Sequence, residues 1–154
     1  MEIVPGSKPP IFMRWPASIA AWWEIWRRPK PIGYQGELAA EKFLRRKGYK
    51  IVGHHLMLRS GELDLVAIDN RTVVFVEVKT RRSGQFGAPA EAVTIHKQRR
   101  LTRIGLEYLK RHGLLEFPCR FDVVGVVWPK SSKQPTIEHF PNAFEAVGFD
   151  GLYS

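Results

Sequence analysis

The sequence is poor in cysteine, in acidic residues relative to basic ones, and in long apolar runs. Its one cysteine, Cys119, excludes an internal disulfide, and a single thiol cannot form a zinc site without several histidines or acids at metal-ligand spacing. The apolar run of the amino-terminal tail is far shorter than the about 20 residues of a transmembrane helix. No G-x-x-x-x-G-K-[ST] loop is present, which argues against a nucleotide-binding ATPase. The single cysteine favours a reducing, cytoplasmic location.

Basic charge is what the sequence has in excess. It contains 24 Lys and Arg against 15 Asp and Glu, a formal net charge of +9, and the pI is near 10.0. Such a chain favours polyanionic partners through phosphate neutralisation and counterion release, and nucleic acid is the polyanion we expect. The alternative is a basic surface without a particular ligand.

The 154 residues suit one domain with terminal extensions. The tail, 1–32, holds four of the five tryptophans and six of the eleven prolines, and 16–28 has the spacing of a short amphipathic helix. Packing onto the domain or disorder is the first interpretation of this tail, and an interfacial membrane anchor is the alternative. We predict a folded domain at 33–148 and a carboxyl-terminal tail at 149–154.

Apolar periodicity in the domain predicts helices and strands in the order α-β-β-β-α-β. The two helices are expected at 35–47, ended by Gly48, and at 96–112. Strands are expected at 50–58, 62–68, 72–80 and 121–127, with a hairpin turn at 69–70, a Gly-rich basic loop at 81–89 and an added edge strand at 137–140. This order predicts an α/β fold, a mixed sheet flanked by helices. His54 and His55 are expected on opposite faces of their strand, as structural or surface residues.

Two acids interrupt apolar strands. In the third strand Glu77 and Lys79 share a face with Val73 and Phe75, and burying an unpaired carboxylate is costly, so Glu77 needs a cation. Lys79 is one candidate partner, and a metal is the other. Asp64 is the corresponding acid of the second strand. It lies five residues before the predicted turn and Glu77 lies seven after it, so the two are close to cross-strand neighbours if the loop is slightly longer than two residues or a bulge intervenes.

Two adjacent carboxylates repel each other, and an oxygen-seeking divalent cation removes that repulsion. Mg²⁺, or Mn²⁺, fits the oxygen ligands better than zinc does. We expect a phosphodiesterase site in which Asp64, Glu77 and the Val78 carbonyl hold the metal and Lys79 orients water or stabilises phosphorane charge. The alternative is a pair of acids at strand ends beside a surface lysine.

Four segments resemble the YraN family of bacterial proteins in order and spacing: GELAA (36–40), GELDLVA (61–67), VFVEVKTR (74–81) and RFDVV (120–124). The likeness covers 33–148. That family is grouped with PD-(D/E)XK nucleases and is similar to archaeal Holliday-junction resolvases. The resemblance implies a restriction-endonuclease-like fold and a catalytic trio of Asp64, Glu77 and Lys79. The leading proline of the motif is absent, since Leu63 precedes Asp64.

Two further residues match positions of such nucleases. Glu37 corresponds to an acid on the first helix of resolvase-like relatives, although a Glu in a first turn also complements the helix dipole. Gln98 resembles the glutamine that follows the Glu-x-Lys strand, and a plain polar residue at a helix start is the equal alternative.

Basic residues near this site are expected to form a rim that positions phosphates without reading bases: Arg81, Arg82, Lys97, Arg99, Arg100 and Arg103. A solvated helix face is the alternative. Asp122 lies in an apolar strand and is expected to pair with Arg120 or a backbone group.

The sequence thus supports two functions. The first is a Mg²⁺-dependent endonuclease acting on branched or single-stranded DNA, with no small-molecule cofactor and no membrane partner. The second is a nucleic-acid-binding protein that keeps the fold and cleaves nothing. A homodimer would suit a four-way junction, but the sequence leaves the oligomeric state open.

Overall fold

A computed structural model describes residues 32–83 and 93–148 of the chain. Its helices are α1 (Ile32–Arg46) and α2 (Ile95–His112). Its strands are β1 (Lys50–Leu58), β2 (Gly61–Asp69), β3 (Thr72–Arg82), β4 (Cys119–Trp128) and β5 (Thr136–Phe144). The predicted tail lies outside the described residues except for Ile32, the first residue of α1. Residues 84–89 of the predicted basic loop and the predicted carboxyl-terminal tail, 149–154, also lie outside them.

The described strands form one five-stranded mixed sheet in the order β1-β2-β3-β4-β5. Only β3 and β4 are parallel among these pairs, and α2 is the crossover between them. The expected α/β architecture of a mixed sheet flanked by helices is confirmed. The predicted edge strand is also present, and it is longer than predicted.

Alternation along β3 divides the interior into two layers. Val73 and Phe75 pack with Leu101 and Ile104 of α2 on one face. The opposite face, with Val74 and Val76, packs against Ala40 and Leu44 of α1. Both faces of β3 are buried, which explains its nearly continuous apolar sequence.

Some local predictions were wrong. The hairpin turn is Asn70–Arg71 and not 69–70, because Asp69 still pairs with Thr72 and Asn70 adopts a left-handed backbone at φ 54°. Arg81 and Arg82 belong to β3, where they pair with β4, and not to the loop. Leu38, assigned to the apolar face of the first helix, is exposed because α1 packs through Gly36, Ala40 and Leu44.

The two adjacent histidines of β1 do not contact opposite sides. His54 Nδ1 lies 3.8 Å from Glu41 and His55 Nδ1 lies 3.5 Å from Glu37, so both contact acids of α1. The cause is the positive φ of 49° at His55, which breaks the strand alternation. Both side chains are largely exposed, as expected of surface residues.

A buried polar network joins β4 to the edge strand β5. Asp122, fully buried, accepts hydrogen bonds from Arg120 Nε at 3.0 Å, the Asn142 N–H at 2.9 Å and His139 Nε2 at 2.9 Å. It therefore anchors the irregular part of β5 around Asn142, which lies at φ 49° next to a register shift. The expected pairing of Asp122 with Arg120 is confirmed, together with a backbone partner.

Neither helix of the described residues is both long and apolar enough to cross a membrane.

We predict that Asp122→Ala lowers the free energy of unfolding by about 3–5 kcal/mol at pH 7, because Arg120, His139 and the Asn142 N–H lose a buried ionised partner. Urea unfolding measures the loss. Burial by itself raises the pKa of Asp122, but hydrogen bonds from His139 and Arg120 outweigh burial and hold it below its usual value. The stabilisation is therefore present above the unfolded pKa of about 3.9 and is lost as the pH falls through the lower folded pKa.

The matched control is Glu138→Ala, an exposed acid of the same strand pair, which should change stability by less than about 0.5 kcal/mol. If Asp122→Ala costs no more than this control, the network does not anchor β5.

Candidate active site

The hairpin of β2 and β3 brings two acids together at the point where its ladder ends. Leu65 pairs with Val76, and one further step in the same register sets Asp64 opposite Glu77. The backbone pairing of β2 with β3 ends at Leu65 and Val76. Beyond it the Val78 N–H donates to the side chain of Asp64, whose Oδ2 lies 2.8 Å away. The two-residue turn at Asn70–Arg71 produces this register without a bulge between β2 and β3.

Asp64 is held in an environment that disfavours its ionised form. Burial and, after it, the negative charge of Glu77 raise the pKa of Asp64 to about 6, while the Val78 N–H opposes the shift. A weaker contribution from Glu37 acts in the same direction. Lys97 also opposes the shift, but the Val78 N–H and Lys97 together do not outweigh burial and the acidic neighbours.

Glu77 is more deeply buried than the half-buried Asp64, and its side chain is only 6% exposed. Its Oε1 lies 2.8 Å from Lys79 Nζ and 2.7 Å from Lys97 Nζ. Lys79 is thus a partner of Glu77. It was one of the two partners considered from the sequence, and a metal was the other. Ammonium groups from both β3 and α2 therefore neutralise the Glu77 carboxylate.

Lys97 was expected in a basic rim, and the structure places it against Glu77 instead. It stands in the first turn of α2, where Thr94 caps the helix by accepting the Lys97 N–H. Lys97 precedes the buried Leu101 by four residues and so shares the helix side that faces the sheet. That spacing is the sequence signal that could have identified it.

Glu37 reaches the neighbourhood of Asp64 because α1 approaches β3 very closely. A Cβ on Gly36 would lie 1.7 Å from Thr80 Oγ1, so only glycine permits this contact beside Lys79. Glu37 also lies 3.5 Å from His55 Nδ1, which is 3.0 Å from Glu62. Its place near Asp64 fits a site residue, and it is not explained by the helix dipole alone, since α1 begins five residues earlier at Ile32.

Gln98 takes a local role in the structure. Its Nε2 donates to the Val93 carbonyl at 3.0 Å, just before the start of α2. This is the helix-start alternative, and a role for Gln98 in the site stays a prediction.

The other expected rim residues lie around the same end of the sheet. Arg81 and Arg82 continue β3 beyond Lys79, and Arg82 is exposed. On α2, Arg99, Arg100 and Arg103 are all exposed. These arginines therefore lie on β3 and α2, the two elements that supply Glu77 and Lys97.

The donor atoms fit a hard divalent cation. The N–H and C=O of one strand residue face the same neighbour, so the Val78 carbonyl points to the side from which Asp64 accepts its N–H. Two carboxylates and a carbonyl are oxygen ligands, as Mg²⁺ prefers. Within 32–83 and 93–148, no three His, Cys, Asp or Glu side chains form a metal cluster.

Comparison with known proteins identifies the family. Residues 36–126 match the model of the uncharacterised protein family UPF0102. This chain belongs to UPF0102. The expected YraN resemblance is thereby confirmed.

Three UPF0102 relatives illustrate the similarity. A protein of Rhodopirellula baltica is 44% identical over 143 residues, covering 88% of this chain and 86% of the relative. One of Geobacter metallireducens is 46% identical and covers 75% and 93% of the two chains. One of Symbiobacterium thermophilum is 54% identical over 95 residues, or 62% and 80%. The names of these three relatives state no activity, so the function must be argued from the site.

We predict that Asp64→Asn raises the free energy of unfolding at pH 7 by on the order of 2 kcal/mol. The native state holds the Asp64 proton more tightly than the unfolded chain between pH 3.8 and about 6, so ionisation lowers native stability as the pH rises through that window. Asparagine has no charge to bury, and its Oδ1 can still accept the Val78 N–H. Urea unfolding between pH 4 and pH 8 should show the gain at pH 7 and its disappearance near pH 4.

Asp122→Asn is the matched control, because the pKa of that buried aspartate is lowered and the same substitution should reduce stability at pH 7. A gain in stability for Asp64→Asn that does not vary with pH, or a loss of stability, would contradict a raised pKa for Asp64.

Proposed function

We propose that this UPF0102 protein is a metal-dependent endonuclease with a restriction-endonuclease-like fold, which hydrolyses phosphodiester bonds in branched or single-stranded DNA. The observation that carries the proposal is the placing of Asp64 opposite Glu77, with Lys79 and Lys97 on the Glu77 carboxylate. The α-β-β-β-α-β-β order, with a parallel β3–β4 pair joined through α2, supports the fold.

The residues divide the work by their chemistry. Asp64, Glu77 and the Val78 carbonyl would hold Mg²⁺ or Mn²⁺. Such a cation supplies Lewis-acid polarisation of the phosphate and a lowered pKa for attacking water. Lys79 orients the water, and Lys79 and Lys97 stabilise the negative charge that grows on the phosphorus oxygens in the transition state.

The surrounding cations bind substrate. Arg82, Arg99, Arg100 and Arg103 are exposed near the site, and together with Arg81 they hold phosphates on both sides of the scissile bond. Glu37 acts beside Asp64 by adding negative charge that favours cation binding. Gln98 lies beside Lys97 at the start of α2. If its amide gave up the hydrogen bond to the Val93 carbonyl, it would reach a DNA strand bound at the site.

One observation favours a second function, a DNA-binding protein that does not cleave. Glu77 is already neutralised by two lysines, so the site is charge-compensated without metal. In this alternative the lysines are permanent partners of Glu77, and the basic residues alone bind the phosphates.

Cleavage separates the two functions. With labelled single-stranded, duplex and four-way-junction DNA, we expect Mg²⁺- or Mn²⁺-dependent cutting that EDTA abolishes. Glu77→Gln and Lys79→Ala should each lower the rate at least 100-fold, since electrostatic groups of this kind are worth about 10²–10³ in rate. Glu138→Gln and Lys133→Ala, exposed residues of the same types, should cut as the wild type does. Binding without cutting, unchanged by both site variants, would favour the non-catalytic function.

Metal binding can be tested without substrate. Mg²⁺ or Mn²⁺ alone should raise the Tm of the wild type at pH 7.5, because a ligand at 100 times its Kd stabilises by about 2.7 kcal/mol. The increase should shrink below pH 6, where Asp64 becomes protonated and cannot bind a cation. Asp64→Asn and Glu77→Gln should each lose the increase, while Glu138→Gln should retain it. A Tm increase equal in all four proteins would place the metal elsewhere.

A further inference from the structure

A second basic surface lies toward the carboxyl-terminal end of α2, where the turn between β1 and β2 meets the helix. It is an open groove of about 860 Å³. Four of its lining side chains are cations: Arg59, Arg103, Lys110 and Arg111. We call it the α2 groove. Three of these cations lie outside the rim that the sequence predicted.

The groove is built by an acid that fastens the turn to the helix. Glu107 uses both carboxylate oxygens, accepting the Arg59 N–H at 3.0 Å and the Ser60 N–H at 2.9 Å. This carboxylate is the one acidic group among the groove's lining residues, and its hydrogen-bonding capacity is directed at the turn backbone. The arrangement fixes the position of Arg59 against α2 and leaves the groove positively charged.

The α2 groove is continuous with the candidate site along one side of the helix. Arg100, Arg103, Glu107 and Arg111 follow the spacing i, i+3, i+7, i+11, and Arg100 lies against Gly61 at the start of β2. Lys97, which contacts Glu77, stands 14 residues before Arg111, and at 1.5 Å per residue this separation is about 20 Å. A row of exposed cations therefore runs from the two acids to the turn.

We propose that the α2 groove binds the sugar-phosphate backbone of a duplex arm that extends from the candidate site. The inference rests on the proposed function in that the ligand is the same nucleic acid. Cations spaced along a rigid helix suit a polymer of regularly spaced phosphates, and such contacts position the substrate without reading its bases. With a rise of 3.4 Å per base pair, 20 Å corresponds to an arm of about six base pairs.

The substrate class follows from that length. DNA with a duplex arm shorter than about six base pairs reaches the site without filling the groove, and a longer arm fills both. The groove therefore selects substrates in which a long duplex adjoins the strand to be cut, and naked single strands bind less tightly.

The test is binding in EDTA, which separates it from cleavage. A labelled single strand joined to a hairpin-closed duplex arm of roughly 5 or roughly 15 base pairs is titrated by fluorescence anisotropy at several salt concentrations. The groove variant is Lys110→Ala/Arg111→Ala. Its matched control is Lys42→Ala/Arg46→Ala, which removes one lysine and one arginine from exposed positions of α1.

We expect the wild type and the control to bind the long arm more tightly than the short arm. The groove variant should lose that preference, and the slope of log affinity against log salt should become shallower by about 2 on the long arm only. The charge-preserving variant Lys110→Arg/Arg111→Lys should bind as the wild type does.

Either of two results would overturn the inference. One is a groove variant that keeps the wild-type slope and arm preference, which would assign the groove to a different anionic partner. The other is a charge-preserving variant that binds as poorly as the alanine variant, which would show that positive charge is not what binds. A loss of arm preference in a protein that cuts nothing would support the groove and overturn only the endonuclease.

Discussion

The burial of one carboxylate at the end of the central strand governs the site. Glu77 lies two residues after Phe75 on β3, so both side chains point to the same face of the sheet. Because that face is covered, Glu77 is buried as Phe75 is. A buried carboxylate must find positive charge or protonate. The strand supplies Lys79 two residues later on the same face, and α2 supplies Lys97 from its first turn. The packing of α2 on β3 therefore also brings Lys97 to the Glu77 carboxylate, so the same contact stabilises the fold and forms the site.

Most of the fold could be predicted from the sequence because it depends on periodicity. The strand β1 has the predicted limits, and the limits of both helices fall within three residues of those predicted. Two of the failures depend on backbone conformations that periodicity does not encode. The left-handed Asn70 moves the hairpin turn by one residue, and the left-handed His55 turns two neighbouring histidines toward the same helix. Each is decided by local sterics and tertiary contact.

The site was predictable to a different extent. Facing positions in the hairpin could be counted, and the corrected turn brings Asp64 directly opposite Glu77. Counting residues could not predict the hydrogen bond from the Val78 N–H to Asp64, because it forms where the regular pairing of β2 with β3 ends. Lys97 was assigned to the rim because it is basic. Its position four residues before the buried Leu101 places it instead on the side of α2 that faces the sheet. The alternative given for Gln98, a polar contact at the helix start, describes its hydrogen bond to Val93.

The sheet contains a fully buried aspartate, Asp122, and a half-buried one, Asp64, and the contrast between the two bears on function. Asp122 is surrounded by Arg120, His139 and the Asn142 N–H, and these donors outweigh the cost of its burial and lower its pKa. Burial and the negative charge of Glu77 raise the pKa of Asp64, and the Val78 N–H and Lys97 only partly offset them. A fully compensated acid gains nothing from a further cation, so Asp122 stabilises the fold. An undercompensated acid is stabilised by any cation that approaches it, which is the property a metal-dependent site requires and which Asp64 alone of this pair possesses.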